Sequence, residues 1–293
     1  MILLAGGTGT LGTRIVGLLL DAGQQVRVLT RDPARASHLG ATVEVVPGDV
    51  SQSSDLAAAA EGVTTVISAI HGFAGPRGTS PARVDRDGNS RLIRAAREAG
   101  AEHLVLVSVR DAAPDHPMDL MRMKFAAEQE LRRSGLAWTI LRPSAYMETW
   151  CQVLGRPLLD RGKTMVFGSG RNPVNWVSAA DVAGFAARCV TDPAMRGLVI
   201  DVGGPENLTM GEFVEVFRNE TKSSGRVGRV PLLAMRAGAP LARLASPSLA
   251  RQMRAGIVMD TTVQAFDAAA GRREYPSVPF TSLAEVVRRD FAS

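Results

Sequence analysis

Residues 6–12 read Gly-Gly-Thr-Gly-Thr-Leu-Gly, and they sit between a short apolar run, Ile2–Ala5, and a segment with helical spacing. In that segment, residues 10–22, apolar side chains recur at Leu11, Ile15, Leu18 and Leu19, and Gly23 follows as a C-terminal stop. Gly6, Gly9 and Gly12 are spaced three apart. A chain that must turn sharply from a strand into a helix favours glycine, because glycine tolerates positive φ. A Cβ would also obstruct a diphosphate approaching the backbone, and would hold the helix away from the sheet. The free N–H groups at the helix start and its positive dipole end then face the phosphates. Gly6, Gly9 and Gly12, with Thr8, Thr10 and Leu11 between them, are the expected phosphate-binding turn.

Beyond this turn the first half alternates β-rich runs with helical patterns. Strands are expected at 26–29, 42–46, 64–70, 103–108 and 137–141, and helices at 55–61, 83–99 and 118–134. Alternation of this kind implies βαβ crossovers and a parallel sheet. Runs such as Leu-Val-Leu-Val-Ser-Val (104–109 region) are apolar throughout, as strands covered on both faces are. The expected fold is α/β, a Rossmann doubly wound parallel sheet with a smaller C-terminal substrate lobe. The dinucleotide core is expected over 1–145, with 174–203 returning to it, and the lobe over 146–173 and 204–293. Within these, 174–177 and 198–202 read as strands, 179–190 as a helix, and 209–218 as a helix capped by Thr209.

Charge and cysteine content narrow the function classes. The net charge is +5, carried almost wholly by arginine, since lysine occurs only at Lys124, Lys163 and Lys222. Aromatic residues make up 5%, too few to interleave a basic nucleic-acid surface. Residues 218–254 carry eight cations (Arg218, Lys222, Arg226, Arg229, Arg236, Arg243, Arg251, Arg254) against one acid, Glu220. That stretch reads either as a solvated lobe or as attraction for an anionic substrate, partner or membrane surface. Cys151 and Cys189 form no metal or disulfide pattern, and four scattered histidines form no ligand pair. No apolar run is long enough to span a bilayer. The expectations are a cytoplasmic protein, a monomer or homodimer, with a small-molecule substrate, no metal, no nucleic acid and no integral membrane association.

The ends of the next strands discriminate the cofactor. The second strand ends at Leu29-Thr30-Arg31, where an NAD site often places an acid for the ribose 2′-hydroxyl. A guanidinium suits a 2′-phosphate, so NADP(H) is favoured over NAD(H), unless Arg31 is only a solvated loop residue. Asp49, followed by Val50, serves either the adenine amino group or an ordinary turn. Val50, and Ser68 and Ala69 on the fourth strand, complete the expected cofactor contacts. His71 beyond them lies either in solvent or at the mouth of a pocket.

The opening GGTGTLG, LTRDP after the second strand, GDV after the third, and KFAAEQELRRSGLAWTILRPSAYME together resemble the NmrA-like, NAD(P)H-binding branch of the atypical short-chain dehydrogenases/reductases. AGAEHLVLVSV, VSAADVAGFAA and VGGPENLTMGE extend the resemblance to about residue 217. In the extended family a serine, a tyrosine and a lysine act together, the last two spaced Y-x-x-x-K. The resemblance puts Ser108 at the serine position and Lys124 at the lysine position, where it would hold the nicotinamide ribose; the alternative is a surface helix lysine. The tyrosine position holds Leu120, which has no proton to give. Tyr146, after Arg142-Pro143, lines the substrate pocket, or replaces the missing acid, or packs as an aromatic between lobes. A quinone gives a delocalised anion on reduction and needs little help from a proton donor. The resemblance therefore implies an NADPH-dependent oxidoreductase acting on a quinone or other electron-poor carbonyl or enone. A non-catalytic NADP(H)-binding redox sensor and a secondary-metabolite tailoring reductase or isomerase are the alternatives.

Overall fold

The structure is a computed structural model and describes residues 1–73 and 79–292. In chain order it begins β1 (Ile2–Ala5), α1 (Thr10–Asp21), β2 (Val26–Thr30), β3 (Glu44–Pro47), α2 (Ser53–Ala60) and β4 (Thr65–Ser68). A π-helical turn, Ala82–Gly88, runs directly into α3 (Asn89–Glu98), followed by β5 (His103–Val107), α4 (Asp119–Arg133) and β6 (Ala137–Pro143). Next come β7 (Ala145–Tyr146), α5 (Met147–Trp150), α6 (Arg156–Arg161), β8 (Lys163–Phe167), β9 (Val174–Val177) and α7 (Ala179–Thr191). The chain ends with β10 (Val199–Val202), β11 (Asn207–Leu208), α8 (Met210–Thr221), β12 (Arg226–Val230), α9 (Leu232–Ala245), α10 (Pro247–Thr261), α11 (Ala269–Arg273) and α12 (Leu283–Asp290).

The chain divides into two compact units. The first holds Met1–Pro143 and Val182–Asp201. Its seven-stranded sheet has the order β10-β6-β5-β4-β1-β2-β3, with β3-β2-β1-β4-β5-β6 paired in parallel register. Every residue of β1, β4 and β5 is buried. Leu3, Ala5, Val66, Leu104 and Leu106 face one helical layer with Leu56, Leu92, Ile93 and Leu131. Burial of each large aliphatic side chain contributes about 1.5–3 kcal/mol. The chain moves outward from β1 to β3 and then restarts at β4 on β1's other side. That reversal opens a crevice at the carboxyl ends of β1 and β4, where open α/β sheets hold ligands.

Two departures from the expected elements bear on the site. The helix expected over 83–99 opens as the π turn, and there the Asn89 side chain donates to the Asp85 carbonyl at 2.8 Å. The wider turn carries Asp85 inward, where it is wholly buried. Residues 174–177 do not return to the dinucleotide core: β9 pairs with β7 and β11 in a separate three-stranded sheet, while α7 from Val182 onward and β10 through Asp201 belong to the first unit.

The second unit holds Ser144–Asp181 and 202–292 of the described residues. Its core gathers Trp176, Phe213, Phe217, Met147 and Leu283, with Trp176 and Phe213 centroids 4.7 Å apart. Thr209 caps α8 as expected, in a reciprocal box with Glu212. Asp181, fully buried, accepts from Arg272 at 2.9 Å and from the Thr281 hydroxyl at 2.6 Å, which ties the chain's last third to the start of α7. β8 and β12 form a two-stranded parallel pair in this unit. Among the described residues, no helix is long and apolar enough to cross a membrane.

Candidate cofactor and active site

The crevice at the end of β1 is shaped by glycine, but its glycines have different reasons to be there. Gly6 has φ +91°, and a Cβ on it would meet the Ala69 carbonyl oxygen at 2.6 Å. A Cβ on Gly7 would meet the Val28 side chain at 2.7 Å, and one on Gly12 would meet the Gly6 carbonyl oxygen at 2.1 Å. These three positions are glycine because the protein's own atoms fill the space. Gly9 is otherwise. Its backbone is extended (φ −88°, ψ 170°), open to any L residue, and beyond the adjoining residues a Cβ there would have the Gly6 oxygen, at 3.5 Å, as its nearest neighbour. Nothing in the fold demands glycine at Gly9, whereas a diphosphate on the turn would.

The helix mouth is also ready for an anion. Gly9 is the N-cap of α1; no side chain caps it, and no acid lies in the first turn. Gly9 and Thr10 are exposed, while Thr8 and Leu11 are half-buried. Uncapped N–H groups and the helix dipole together favour phosphate. A dinucleotide therefore fits this cradle, on the evidence of the space at Gly9 and the uncapped amides.

At the end of β2, Arg31 is exposed. Asp32, the acid next to it, caps the following 3₁₀ turn: its Oδ1 accepts from Ala34 N–H at 3.1 Å, and its own N–H donates to the buried Thr30 hydroxyl at 3.2 Å. Arg31 is thus the charge offered at this strand end. At the end of β3, Asp49 Oδ1 accepts from Ser51 N–H at 2.8 Å and its N–H donates to Asp55 at 2.9 Å, the turn role set out above. Val50 packs beside Gly88.

On the far side of the crevice, buried partners set the side-chain directions. Ser68 is fully buried, and its hydroxyl donates to Asn89 Oδ1 at 2.5 Å. Strand alternation turns it towards α3 and away from the crevice. The Ala69 carbonyl lies against Gly6. Ser108 is 5% exposed, and its hydroxyl donates to Glu128 Oε1 at 2.5 Å. Glu128 is wholly buried and accepts from the Nε and one terminal nitrogen of Arg142, at 2.9 and 2.6 Å. The Glu128 hydrogen bond raises the Arg142 pKa against the opposing effect of burial, so the guanidinium stays protonated. Ser108 thus spends its proton inside the unit.

Lys124 is 4% exposed, so the surface-lysine alternative fails. Its ammonium donates to the Ile70 carbonyl at 2.8 Å and the Val107 carbonyl at 2.9 Å, and pairs with Asp85 at 3.1 Å. Two of its three N–H bonds are spent on backbone carbonyls, which fastens the ends of β4 and β5 together, while Asp85 Oδ1 is held as an ion pair without hydrogen-bond geometry. Asp85 in turn accepts from Gly72 N–H at 2.8 Å. Asp85, Glu128 and Arg142 were not anticipated from the sequence. The signal was present in α4: its buried stripe of Met121, Ala127 and Leu131 also carries Lys124 and Glu128, two charges on a core-facing helix surface.

Tyr146 belongs to the second unit. Its hydroxyl is buried and has no hydrogen-bond partner among the described residues, and burial, then the nearby Glu148 charge, raise its pKa above the ordinary phenol. Such a phenol holds its proton tightly. Glu148 itself accepts from Ser178 and from Ala179 N–H at the start of α7.

Residues 6–193 match the model of the NAD(P)H-binding family. The chain is 33% identical over 215 residues to the NAD(P)H azoreductase of Xenophilus azovorans, covering 72% of this chain and 71% of that one. It is 31% identical to the photosystem II assembly factor Ycf39 of Synechocystis sp., covering 80% and 72%. Its fold matches the NADPH complex of the quinone oxidoreductase QOR2 of Escherichia coli with a TM-score of 0.78, at 22% identity, over 99% of this chain and all of that one. The chain belongs to the NAD(P)H-binding family, in the NmrA-like, atypical short-chain dehydrogenase/reductase group that its motifs resemble.

Proposed function

We propose that this protein is an NADPH-dependent oxidoreductase whose acceptor is a quinone or another electron-poor carbonyl or enone. The observation that carries the reading is Gly9: a glycine the fold does not need, in an exposed turn at an uncapped helix start. Gly6 to Gly12 would hold the diphosphate, and Arg31 the 2′-phosphate of the adenosine ribose, which favours NADP(H) over NAD(H). When bound, the reduced nicotinamide supplies a hydride. Lys124 and Ser108 act as positioning residues in this scheme, fixing the ends of β4 and β5 through Asp85 and Glu128. With Leu120 at the tyrosine position, the site suits acceptors whose reduced form is a delocalised anion. The azoreductase relative, which by its name acts on azo compounds, supports an electron-poor acceptor.

A second reading, a redox sensor that binds NADP(H) without turnover, is favoured by the internal commitment of the Ser108 hydroxyl and the Lys124 ammonium, and by a relative named as an assembly factor. NADPH oxidation measured against a panel of quinones, azo dyes and enones separates the two. Acceptor-dependent oxidation above the uncatalysed rate supports the enzyme; saturable binding with no oxidation on any acceptor supports the sensor.

A further inference from the structure

His71 follows β4 and stands between two residues whose backbones are pinned by one buried ion pair. On one side, the Ile70 carbonyl accepts from Lys124 at 2.8 Å. On the other, Gly72 N–H donates to Asp85 at 2.8 Å. Lys124 and Asp85 are themselves paired at 3.1 Å, with side-chain exposures of 5% and 0%. Gly72 is buried, and a Cβ on it would meet the Ser80 carbonyl oxygen at 2.4 Å, so the backbone there is packed tightly as well. Ile70 is 9% exposed, yet the His71 side chain between these two buried neighbours is exposed. A buried ion pair costs desolvation and contributes little net stability. Here its outcome is geometric, since it fixes both peptide planes flanking one imidazole.

The position of that imidazole is informative. The glycine-rich turn touches the chain at Ala69 and Ile70, where a Cβ on Gly6 would lie 2.6 Å from the Ala69 oxygen and 3.2 Å from Ile70 N. His71 is the next residue along. A contact between Arg31 and the 2′-phosphate would place the adenosine half of a dinucleotide at the end of β2. The nicotinamide half then lies across the switch point, towards β4 and β5, on the side that carries His71.

We propose that His71 is a catalytic residue that hydrogen-bonds the acceptor atom on which negative charge develops during reduction. This rests on the oxidoreductase reading above. An acceptor that takes a hydride gains two electrons and one proton; a carbonyl or quinone C=O then carries an oxyanion, and an azo nitrogen an amide-like anion. One proton from water completes the reduction. An imidazole keeps at least one N–H in either protonation state, so His71 stabilises that anion without itself changing charge. It fills the part of the work that Leu120 at the tyrosine position cannot do. A preorganised donor of this kind is worth about 10²–10³ in kcat.

The test compares His71→Leu and His71→Asn with the wild-type enzyme, using NADPH and menadione. Asn keeps an N–H donor near the same place; Leu does not. The expected result is a fall in kcat of about 100-fold for H71L, recovery of at least about ten-fold of that loss in H71N, and NADPH affinity within about two-fold of wild type in both, since a lost charge-assisted bond to the cofactor would cost more. Independently of turnover, the imidazole resonance assigned to His71 by its loss in H71N should shift when menadione is added to the NADP⁺ complex, which cannot react. Unchanged kcat in H71L, no rescue by H71N, or a resonance indifferent to menadione each overturns the role of His71. A wild-type protein that oxidises no NADPH on any acceptor overturns the oxidoreductase reading instead, and this inference with it.

Discussion

Replacing Gly9 with alanine separates a glycine kept for the fold from one kept for a ligand. On the protein side the change is nearly free. The backbone at Gly9 is extended, and the new methyl would have the Gly6 oxygen at 3.5 Å, an ordinary contact. Loss of a favourable N-cap residue costs some tenths of a kcal/mol to about 1 kcal/mol. The stiffer unfolded chain returns about 0.4–1 kcal/mol. Stability without cofactor should therefore move by no more than about 0.5 kcal/mol. On the ligand side the methyl stands where a phosphate oxygen must approach the turn amides, and it displaces a charge-assisted hydrogen bond worth about 1.5–3 kcal/mol. Since about 1.4 kcal/mol is a factor of ten, NADPH affinity should fall by roughly 10- to 100-fold. Urea unfolding in the absence of cofactor, together with calorimetric titration of NADPH, reads both quantities. Unchanged affinity would refute the phosphate role of Gly9. A stability loss of several kcal/mol would refute the steric argument that singles it out.

Other outcomes follow from the same geometry. Gly12→Ala should destabilise the protein even without cofactor, by about 1–3 kcal/mol, because its Cβ would meet the Gly6 oxygen at 2.1 Å; the same urea experiment checks it. Lys124→Met leaves the Asp85 carboxylate buried without its cation, and should cost about 3–5 kcal/mol in urea unfolding. Arg31→Glu should reduce the ratio of NADPH to NADH affinity by at least about ten-fold, the value of one charge-assisted bond, as read by competitive titration. His103 is buried, with its ring 2.9 Å from the Thr139 hydroxyl, and burial, then the Arg196 charge, lower its pKa from 6.5 to about 4. The unfolded chain takes up a proton near pH 6.5 while the folded protein does not, so stability falls as the pH drops below about 6.5 and this loss is complete below about 4. Between pH 7.5 and 5 the loss is about 2 kcal/mol, and His103→Gln should remove it from the pH dependence of urea unfolding.

The dinucleotide core was readable because each of its parts carries a strong local signal. β1, β4 and β5 are buried on both faces and so are continuous apolar runs, and α1 shows its helical period between a glycine turn and Gly23. The glycine turn was visible too, but not the division of labour within it: that Gly12 is held by the Gly6 carbonyl and Gly9 by nothing in the protein is a fact of three dimensions. The directions of the polar atoms on Ser68, Ser108 and Lys124 were not readable for a related reason. Sequence position puts Ser68, Ser108 and Lys124 near the crevice, while the buried partners Asn89, Glu128 and Asp85 decide where their polar atoms point. Residues past 220 gave little to read. β12 is half-exposed with two arginines in five residues, and α9 carries Pro240 inside a helix with Leu233 and Leu241 open to solvent; earlier in the chain, β7 and β11 are only two residues long.

Titrating the purified protein with NADPH, and separately with NADH, while following the nicotinamide fluorescence, bears most directly on the turn at Gly6–Gly12. Saturable binding of one coenzyme per chain, tighter for NADPH and suppressed by excess NADP⁺, is the result this account requires. A signal that rises without saturation for both coenzymes, or that NADP⁺ leaves untouched, would contradict it.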